Sequence, residues 1–232
     1  YKSVDAGQLW KATSAVLPQS YVADLTARNP FVVAVVKDYQ KDSGHSLYFS
    51  PDGGNTWSLK IGPDDKMFGR VYDAFISSES SIYIGTDAGI FQSPADETLA
   101  WTSTYSDTGV LLLEPSLDGL SQYAIADGPQ NGKWSLIRLY DSGIVDTLTT
   151  FNDKPVSLTV DPSPTSATLV YVLLQNWEVV AVTPQGAQLN LGGWKNFGPA
   201  WSILAVPDSS TGITRLLMGH YRGLLEYQAP KD

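Results

Sequence analysis

The sequence predicts an all-β protein, and three observations predict it. No stretch of about twelve residues keeps apolar side chains at the i, i+3, i+4, i+7 spacing of an amphipathic helix. Short runs rich in Val, Ile, Leu, Tyr and Thr recur instead, as at Phe31–Val36, Ser81–Ile84, Ser135–Leu139, Leu169–Leu174 and Thr214–Met218. Gly, Pro, Asp, Asn or Ser clusters bound each run, the punctuation that turns between strands require.

Composition narrows what such a chain can do. A hydrophobic content of 43% supplies a core, and 17% charge is too low for a disordered chain. The 232 residues fit one large domain or two small ones and are read here as one, spanning 1–232. The absence of Cys excludes a disulfide scaffold, Cys-zinc sites and thiol catalysis. A formal net charge of −9 disfavours nucleic acid and anionic membrane as partners. No apolar run approaches the roughly 20 residues that span a bilayer, so no membrane insertion is expected. A start at Tyr1, few Lys and many Trp, Tyr, Ser, Thr and Gly fit an exported protein, extracellular or periplasmic, or a fragment of a longer chain.

The strands repeat. Val22-Ala23-Asp24-Leu25, Val71-Tyr72-Asp73-Ala74, Val156-Ser157-Leu158 and Trp201-Ser202-Ile203 each open a unit. Gly85-Thr86-Asp87-Ala88-Gly89 before Ile90-Phe91 is echoed by Gly219-His220-Tyr221-Arg222-Gly223 before Leu224-Leu225. The period is about 42–49 residues, the size of a four-stranded propeller blade. Unit one runs from Tyr21 to about Pro63, and unit two from about Arg70 to Ser106. Unit three spans Gly109 to Phe151, and unit four Lys154 to about Lys195. Unit five opens at Pro199 and reaches only three strands by Tyr227. The expected fold is therefore a β-propeller of five four-stranded blades, with an N-terminal strand at Gln8–Thr13 closing the last one. Closure removes exposed sheet edges.

One motif is explicit. Ser50-Pro51-Asp52-Gly53-Gly54-Asn55-Thr56-Trp57 fits Ser-x-Asp-x-Gly-x-Thr-Trp at every position, and Ser93-Pro94-Ala95-Asp96-Glu97-Thr98-Leu99-Ala100-Trp101 is a degraded echo about 43 residues on. On these residues the chain resembles the Asp-box (BNR-repeat) β-propellers, the group of sialidases, sortilin-type receptors and photosystem assembly factors. The resemblance implies that Ser50, Asp52, Gly54, Thr56 and Trp57 form the turn between a blade's third and fourth strands, on the face away from the ligand. The chemistry agrees. A carboxylate can gather backbone N–H groups across a turn, glycine permits positive φ, and Trp57 opens the next strand with a large ring.

Catalytic signals are sparse. His45 stands beside Asp42 and Ser43, but triad members come from separate segments, and the only other histidine is His220. No spacing suggests a metal and no phosphate loop appears, so neither metal nor cofactor is expected. If the chain is an enzyme, the residues are Asp24 and Asp73. They fall at equivalent positions of two opening strands, and paired carboxylates hydrolyse sugars. Glu114 is a third acid out of register. The bland alternative is a solvated polar channel. Sialidase chemistry needs converging arginines, and only Arg28, Arg70, Arg138, Arg215 and Arg222 exist.

The leading expectation is a non-catalytic recognition or assembly module for a protein or glycan ligand. Its binding face is the one opposite the Asp box, with Tyr39, Phe68, Arg70, Trp177, Trp194, His220, Tyr221 and Arg222. Aromatic rings beside polar groups suit both ligand types. The competing use of such rings is packing between blades.

Overall fold

A computed structural model describes residues 1–3, 5, 7–12, 21–37, 45–96, 98–128, 132–162, 169–193, 199–208, 213–220 and 223–228. Its strands form five antiparallel sheets in strict chain order, the architecture of a five-bladed β-propeller. The first sheet is β1 (Tyr21–Arg28), β2 (Phe31–Lys37), β3 (His45–Ser50) and β4 (Ser58–Ile61); the second is β5 (Val71–Ile76), β6 (Ser81–Thr86), β7 (Gly89–Pro94) and β8 (Thr102–Tyr105). The third is β9 (Val110–Pro115), β10 (Ser121–Gly128), β11 (Lys133–Tyr140) and β12 (Val145–Phe151). The fourth is β13 (Pro155–Val160), β14 (Val170–Leu174), β15 (Glu178–Val182) and β16 (Gln188–Gly193), and the fifth is β17 (Ala200–Asp208), β18 (Ile213–His220) and β19 (Gly223–Gln228).

The chain divides into two compact units, Tyr1–Leu111 and Leu112–Asp232. In the first, alternate residues of β2 and β3 (Val33, Val35, Leu47, Phe49) meet Val71, Ile82, Ile84 and Phe91 of the second sheet in one core. Period-two alternation delivers those side chains to one face. Leu47, Phe49, Ile82 and Ile84 are wholly buried, and each contributes about 1.5–3 kcal/mol. The second unit holds two such seams. Tyr123, Ile125 and Leu136 of the third sheet pack with Val170 and Val172 of the fourth. Tyr171, Leu173, Val179 and Ala181 of the fourth pack with Ile203, Leu216 and Met218 of the fifth.

Four opening strands share one irregularity. The register slips between Val22 and Asp24, Val71 and Asp73, Pro155 and Ser157, and Ala200 and Ser202. The bulge re-aims the residue after it. Asp24 Oδ2 accepts the Ala74 N–H of the next sheet at 3.2 Å, and Ser157 Oγ accepts the Ile203 N–H of the next sheet at 3.2 Å. These bonds latch neighbouring sheets along their innermost strands.

The Ser50–Trp57 segment forms the turn between β3 and β4, closed by its own side chains. Ser50 Oγ donates to Asp52 Oδ1 (2.9 Å) and accepts the Gly54 N–H (2.8 Å). Asp52 Oδ1 takes the N–H groups of Asn55 (3.0 Å) and Thr56 (2.8 Å), while its Oδ2 takes the Thr56 hydroxyl (2.8 Å). Gly53 and Gly54 adopt φ of 68° and 83°. The echo at Asp96 keeps the carboxylate's role, accepting N–H from Thr98 (2.8 Å) and Leu99 (3.0 Å), but Ser93 turns to the Pro94 carbonyl instead.

The closing strand foreseen at Gln8–Thr13 makes one pairing among the described residues, Lys11 with Lys2, and the described fifth sheet has three strands; Thr13 lies outside the described residues. The segment before Lys11 forms a second turn of the Ser-x-Asp-x-Gly pattern. Ser3 Oγ donates to Asp5 Oδ1 (2.7 Å) and accepts the Gly7 N–H (2.8 Å), and Asp5 Oδ1 accepts the Leu9 N–H (2.9 Å). Gly7 takes φ of 85° beneath the Trp10 ring. Lys2–Lys11 thus stands to this box as the Phe49–Ser58 pair stands to the first. Lys2 Nζ also donates to Asn55 Oδ1 (3.2 Å), joining the two boxes.

Candidate functional site

Strand direction sorts the loops. The box joins β3 to β4, and the Gly53 N–H donates to the Pro30 carbonyl in the β1–β2 turn, so both turns occupy one end of the first sheet. The other end carries the start of β1, the end of β2, the start of β3 and the connection into β5.

At that end a row of side chains crosses the first sheet. Tyr21 pairs with Lys37 across β1–β2, and Lys37 pairs with His45 across β2–β3. Directly opposed residues share a face, with Cβ atoms about 4.5–5.5 Å apart. This face is the one that carries Val33, Val35, Leu47 and Phe49 into the seam with the second sheet. Lys37 Nζ stands 6.0 Å from the Tyr21 ring centroid. His45 Nδ1 lies 2.7 Å from the Val71 carbonyl, and the His45 ring meets Tyr72 edge-on, centroids 5.9 Å apart.

The second sheet supplies the far wall. Asp87, in the β6–β7 turn, accepts the Arg70 N–H (2.9 Å) and the Tyr72 hydroxyl (2.6 Å). Its carboxylate lies where a side chain on residue 69 would stand, which accounts for Gly69 with φ of 65°. Burial, reinforced by the bond to Asp87, pushes the Tyr72 phenol up to about 12. Burial also pulls His45 below its ordinary value, helped by Lys37 and Arg70 and opposed by the Val71 carbonyl and Asp87. Tyr21 is 38% exposed and Arg70 is exposed, so the mouth of the seam offers a ring and a guanidinium to solvent.

The second unit repeats part of this construction. The Gln175 N–H donates to the Lys154 carbonyl as Asp87 N–H does to Arg70. Asn176 Nδ2 reaches Asp153 (2.9 Å) and Glu178 (3.1 Å), and Lys154 Nζ lies 5.5 Å from the Trp134 ring centroid.

Of the expected face residues, Arg70 stands at the seam mouth. Trp177 occupies the β14–β15 turn, half-buried at a φ of 69°. Phe68 is corrected: it is 4% exposed and packs edge-on against Phe91 and Trp101, so it belongs to the core. His220 is 9% exposed at the end of β18. Tyr39, Trp194, Tyr221 and Arg222 lie outside the described residues. Asp24 and Asp73 do converge, since Ala74 N–H donates to both, at 3.2 and 2.9 Å. Ser157 serves Ile203 in the same way, so the position supplies an acceptor whether or not it is charged. Among the described residues no group of three or more His, Asp or Glu is placed to hold a metal ion, and no helix is long and apolar enough to cross a membrane. Sequence reading missed Tyr21, Lys37 and Tyr72, whose grouping depends on ladder register.

These features define a β-propeller with a polar, aromatic-flanked seam mouth, and known structures agree on the fold. No family model and no curated protein sequence matches the chain. The chain is similar to a structure in a nidogen–laminin complex, with a TM-score of 0.65 and 10% identity over 91% of this chain and 77% of that one. It is also similar to the extracellular domain of BT4673 from B. thetaiotaomicron (TM-score 0.61, 11% identity, 89% of this chain) and to BBS1N in complex with ARL6DN (0.60, 17%, 90%). The chain spans 27% and 64% of those two chains.

Proposed function

We propose that the chain is a non-catalytic recognition or assembly module of the Asp-box type, holding its ligand at the propeller end opposite the box. The observation that carries this reading is the seam mouth, where Tyr21, Lys37, His45, Arg70, Tyr72 and Asp87 gather at a rim with an exposed ring and guanidinium. Rigid sheets hold such groups in fixed positions, which lowers the ordering cost of binding. Two of the similar structures are complexes by their titles, nidogen with laminin and BBS1N with ARL6DN, which supports a protein ligand over a glycan. Tyr39, Trp194, Tyr221 and Arg222, which lie outside the described residues, stay in the proposal as ligand contacts read from sequence alone. An exported location, extracellular or periplasmic, is part of this proposal and rests on composition.

The test is capture from the source extract and on a glycan array with paired variants. Whatever wild type retains should be lost with Arg70→Ala and kept with Asn55→Ala on the box side; retention by Arg70→Ala overturns the reading. A second reading, a glycoside hydrolase using Asp24 and Asp73, is favoured by their meeting at the Ala74 N–H. Turnover of aryl glycosides that Asp73→Asn abolishes would establish it, and no turnover by wild type removes it.

A further inference from the structure

The third sheet exposes aliphatic side chains where its turns need none. The β9–β10 turn holds Leu117 and Leu120, 54% and 66% exposed, and the β11–β12 turn holds Ile144, 59% exposed. The two turns lie side by side, since the Asp141 N–H donates to the Leu120 carbonyl (3.4 Å) and Ser121 opposes Tyr140 in the ladder. Other sheets build the same turns without these residues. In the β15–β16 turn the Thr183 N–H donates to the Ala187 carbonyl (3.0 Å) and the Gly186 N–H to the Thr183 carbonyl (2.9 Å). The β11–β12 turn repeats both bonds, Tyr140 to Ile144 (2.9 Å) and Gly143 to Tyr140 (2.8 Å), so Ile144 stands where Ala187 suffices. In the β5–β6 turn Ser77 donates to Ser81 (2.8 Å), Ser80 to Ser77 (3.1 Å), and Ser77 Oγ accepts the Ser81 N–H (3.1 Å). The β9–β10 turn repeats all three bonds with Ser116, Gly119 and Ser121, but puts Leu117 where Ser78 stands and adds Leu120. Apolar surface that the local geometry does not require, gathered in one place, marks an interaction site.

The same turns and the start of β12 carry Asp118, Asp141 and Asp146. Asp141 and Asp146 are exposed, and the Ser116 hydroxyl and Leu120 N–H hold the Asp118 carboxyl below its ordinary value. The cation facing them is Arg138, which opposes Asp146 in the ladder and lies 3.9 Å from Asp118. Its guanidinium is drawn inward, 4.8 Å from the Tyr140 ring centroid, with Nε donating to Ser121 Oγ (2.9 Å). Three carboxylates against one guanidinium leave this end of the sheet two negative charges. The undescribed residues 163–168 and 209–212 of the second unit include no charged side chain, and 229–232 include one of each sign, so the balance holds without them.

We propose that this end of the third sheet docks a basic amphipathic segment of a partner protein. Its aliphatic or aromatic side chains cover Leu117, Leu120 and Ile144, while its Lys or Arg side chains meet Asp118, Asp141 and Asp146. The surface is separate from the seam mouth and goes beyond the function proposed above. Charge selects the occupant. An acidic segment, an anionic lipid surface or the same face of a second copy would bring like charge to the rim, and the chain's net −9 has the same sign. A basic segment gains apolar burial together with an attraction that acts over a Debye length of about 8 Å. Exposed ion pairs add little affinity alone, so the apolar anchors supply the strength and the carboxylates the choice of partner.

The probe is an octapeptide of alternating Leu and Lys, with alternating Leu and Glu and octalysine as its counterparts, titrated into the full chain and followed by backbone amide resonances. The Leu–Lys peptide should move the Leu120, Asp141 and Ile144 amides and bind at least about fivefold tighter than either counterpart. Leu120→Ser and Ile144→Ala should each weaken it at least about threefold at unchanged melting temperature. Asp141→Asn should weaken it at low salt and make no difference at about 1 M ionic strength. Equal binding of octalysine, or no loss in Leu120→Ser, reduces the effect to overall charge and overturns the proposal. Equal binding of the Leu–Glu peptide, movement of the same amides by phosphatidylcholine vesicles, or no movement with the Leu–Lys peptide overturns it as well. Should Ile144→Ala melt early, Leu120→Ser is read in its place.

Discussion

Removing the Ser157 hydroxyl should cost more stability than removing the Asp24 carboxylate, although the second is charged. Ile203 N–H points away from the β17–β18 ladder to Ser157 Oγ at 3.2 Å, and Ile203 is 5% exposed. Ser157→Ala therefore strands a buried donor, at about 1–2 kcal/mol. Ala74 N–H has two acceptors, Asp24 at 3.2 Å and Asp73 at 2.9 Å. Asp24→Ala leaves one of them in place, so the loss should stay near 0.5 kcal/mol, with Asp24→Ser closer still to wild type. Urea unfolding at 25 °C, followed by Trp fluorescence, measures both midpoints at unchanged slope. If Asp24→Ala costs more than Ser157→Ala, or if Ser157→Ala stays within about 0.3 kcal/mol of wild type, the latch is not what holds these strands together.

Gly89→Ala should destabilise by at least about 2 kcal/mol in the same assay, because φ is 119° and a Cβ there would run into the Tyr105 carbonyl oxygen. Thr56 N–H and hydroxyl, with Ser50 and Asn55, hold the Asp52 carboxyl below its ordinary 3.8. A depressed carboxylate stabilises above its unfolded value and stops doing so as pH falls through its folded value. The melting difference between wild type and Asp52→Ala should therefore persist at pH 5–7 and shrink as pH falls below 3.8; a constant difference would sink the assignment. Tyrosinate absorbance should show one phenol titrating near 12, and Tyr72→Phe should remove that late step while leaving the others.

Strand rhythm and turn residues made five sheets legible, because alternation and Gly/Pro punctuation are local. The box at Ser50–Trp57 was legible because every position carried its side chain. The box at Ser3–Trp10 was readable by the same Ser-x-Asp-x-Gly spacing, but Leu9 stands where Thr56 does, and an apolar residue there suggests a strand. Phe68 went to the wrong place since loop membership says nothing of burial. The row Tyr21–Lys37–His45 was hidden for another reason. Which residues oppose each other depends on the slip between Val22 and Asp24, and a bulge leaves no mark in the sequence. The described neighbours of His45 come from β2 and the next sheet, which its own stretch of sequence does not show.

The three box turns carry an implication for how the molecule assembles in time. Each closes over a few residues, as Ser50 to Gly54 and Ser3 to Gly7 do at a separation of 4, whereas the bonds between sheets join residues 46 and 50 apart. Closing short loops takes on the order of 10–100 ns and hairpins about 1–10 μs, while distant pairings wait on a larger entropic loss. The outer hairpins are thus poised to order first and to present finished edges to the inner strands. Substitutions in the boxes would slow folding, and those at Asp24 or Ser157 would mainly hasten unfolding.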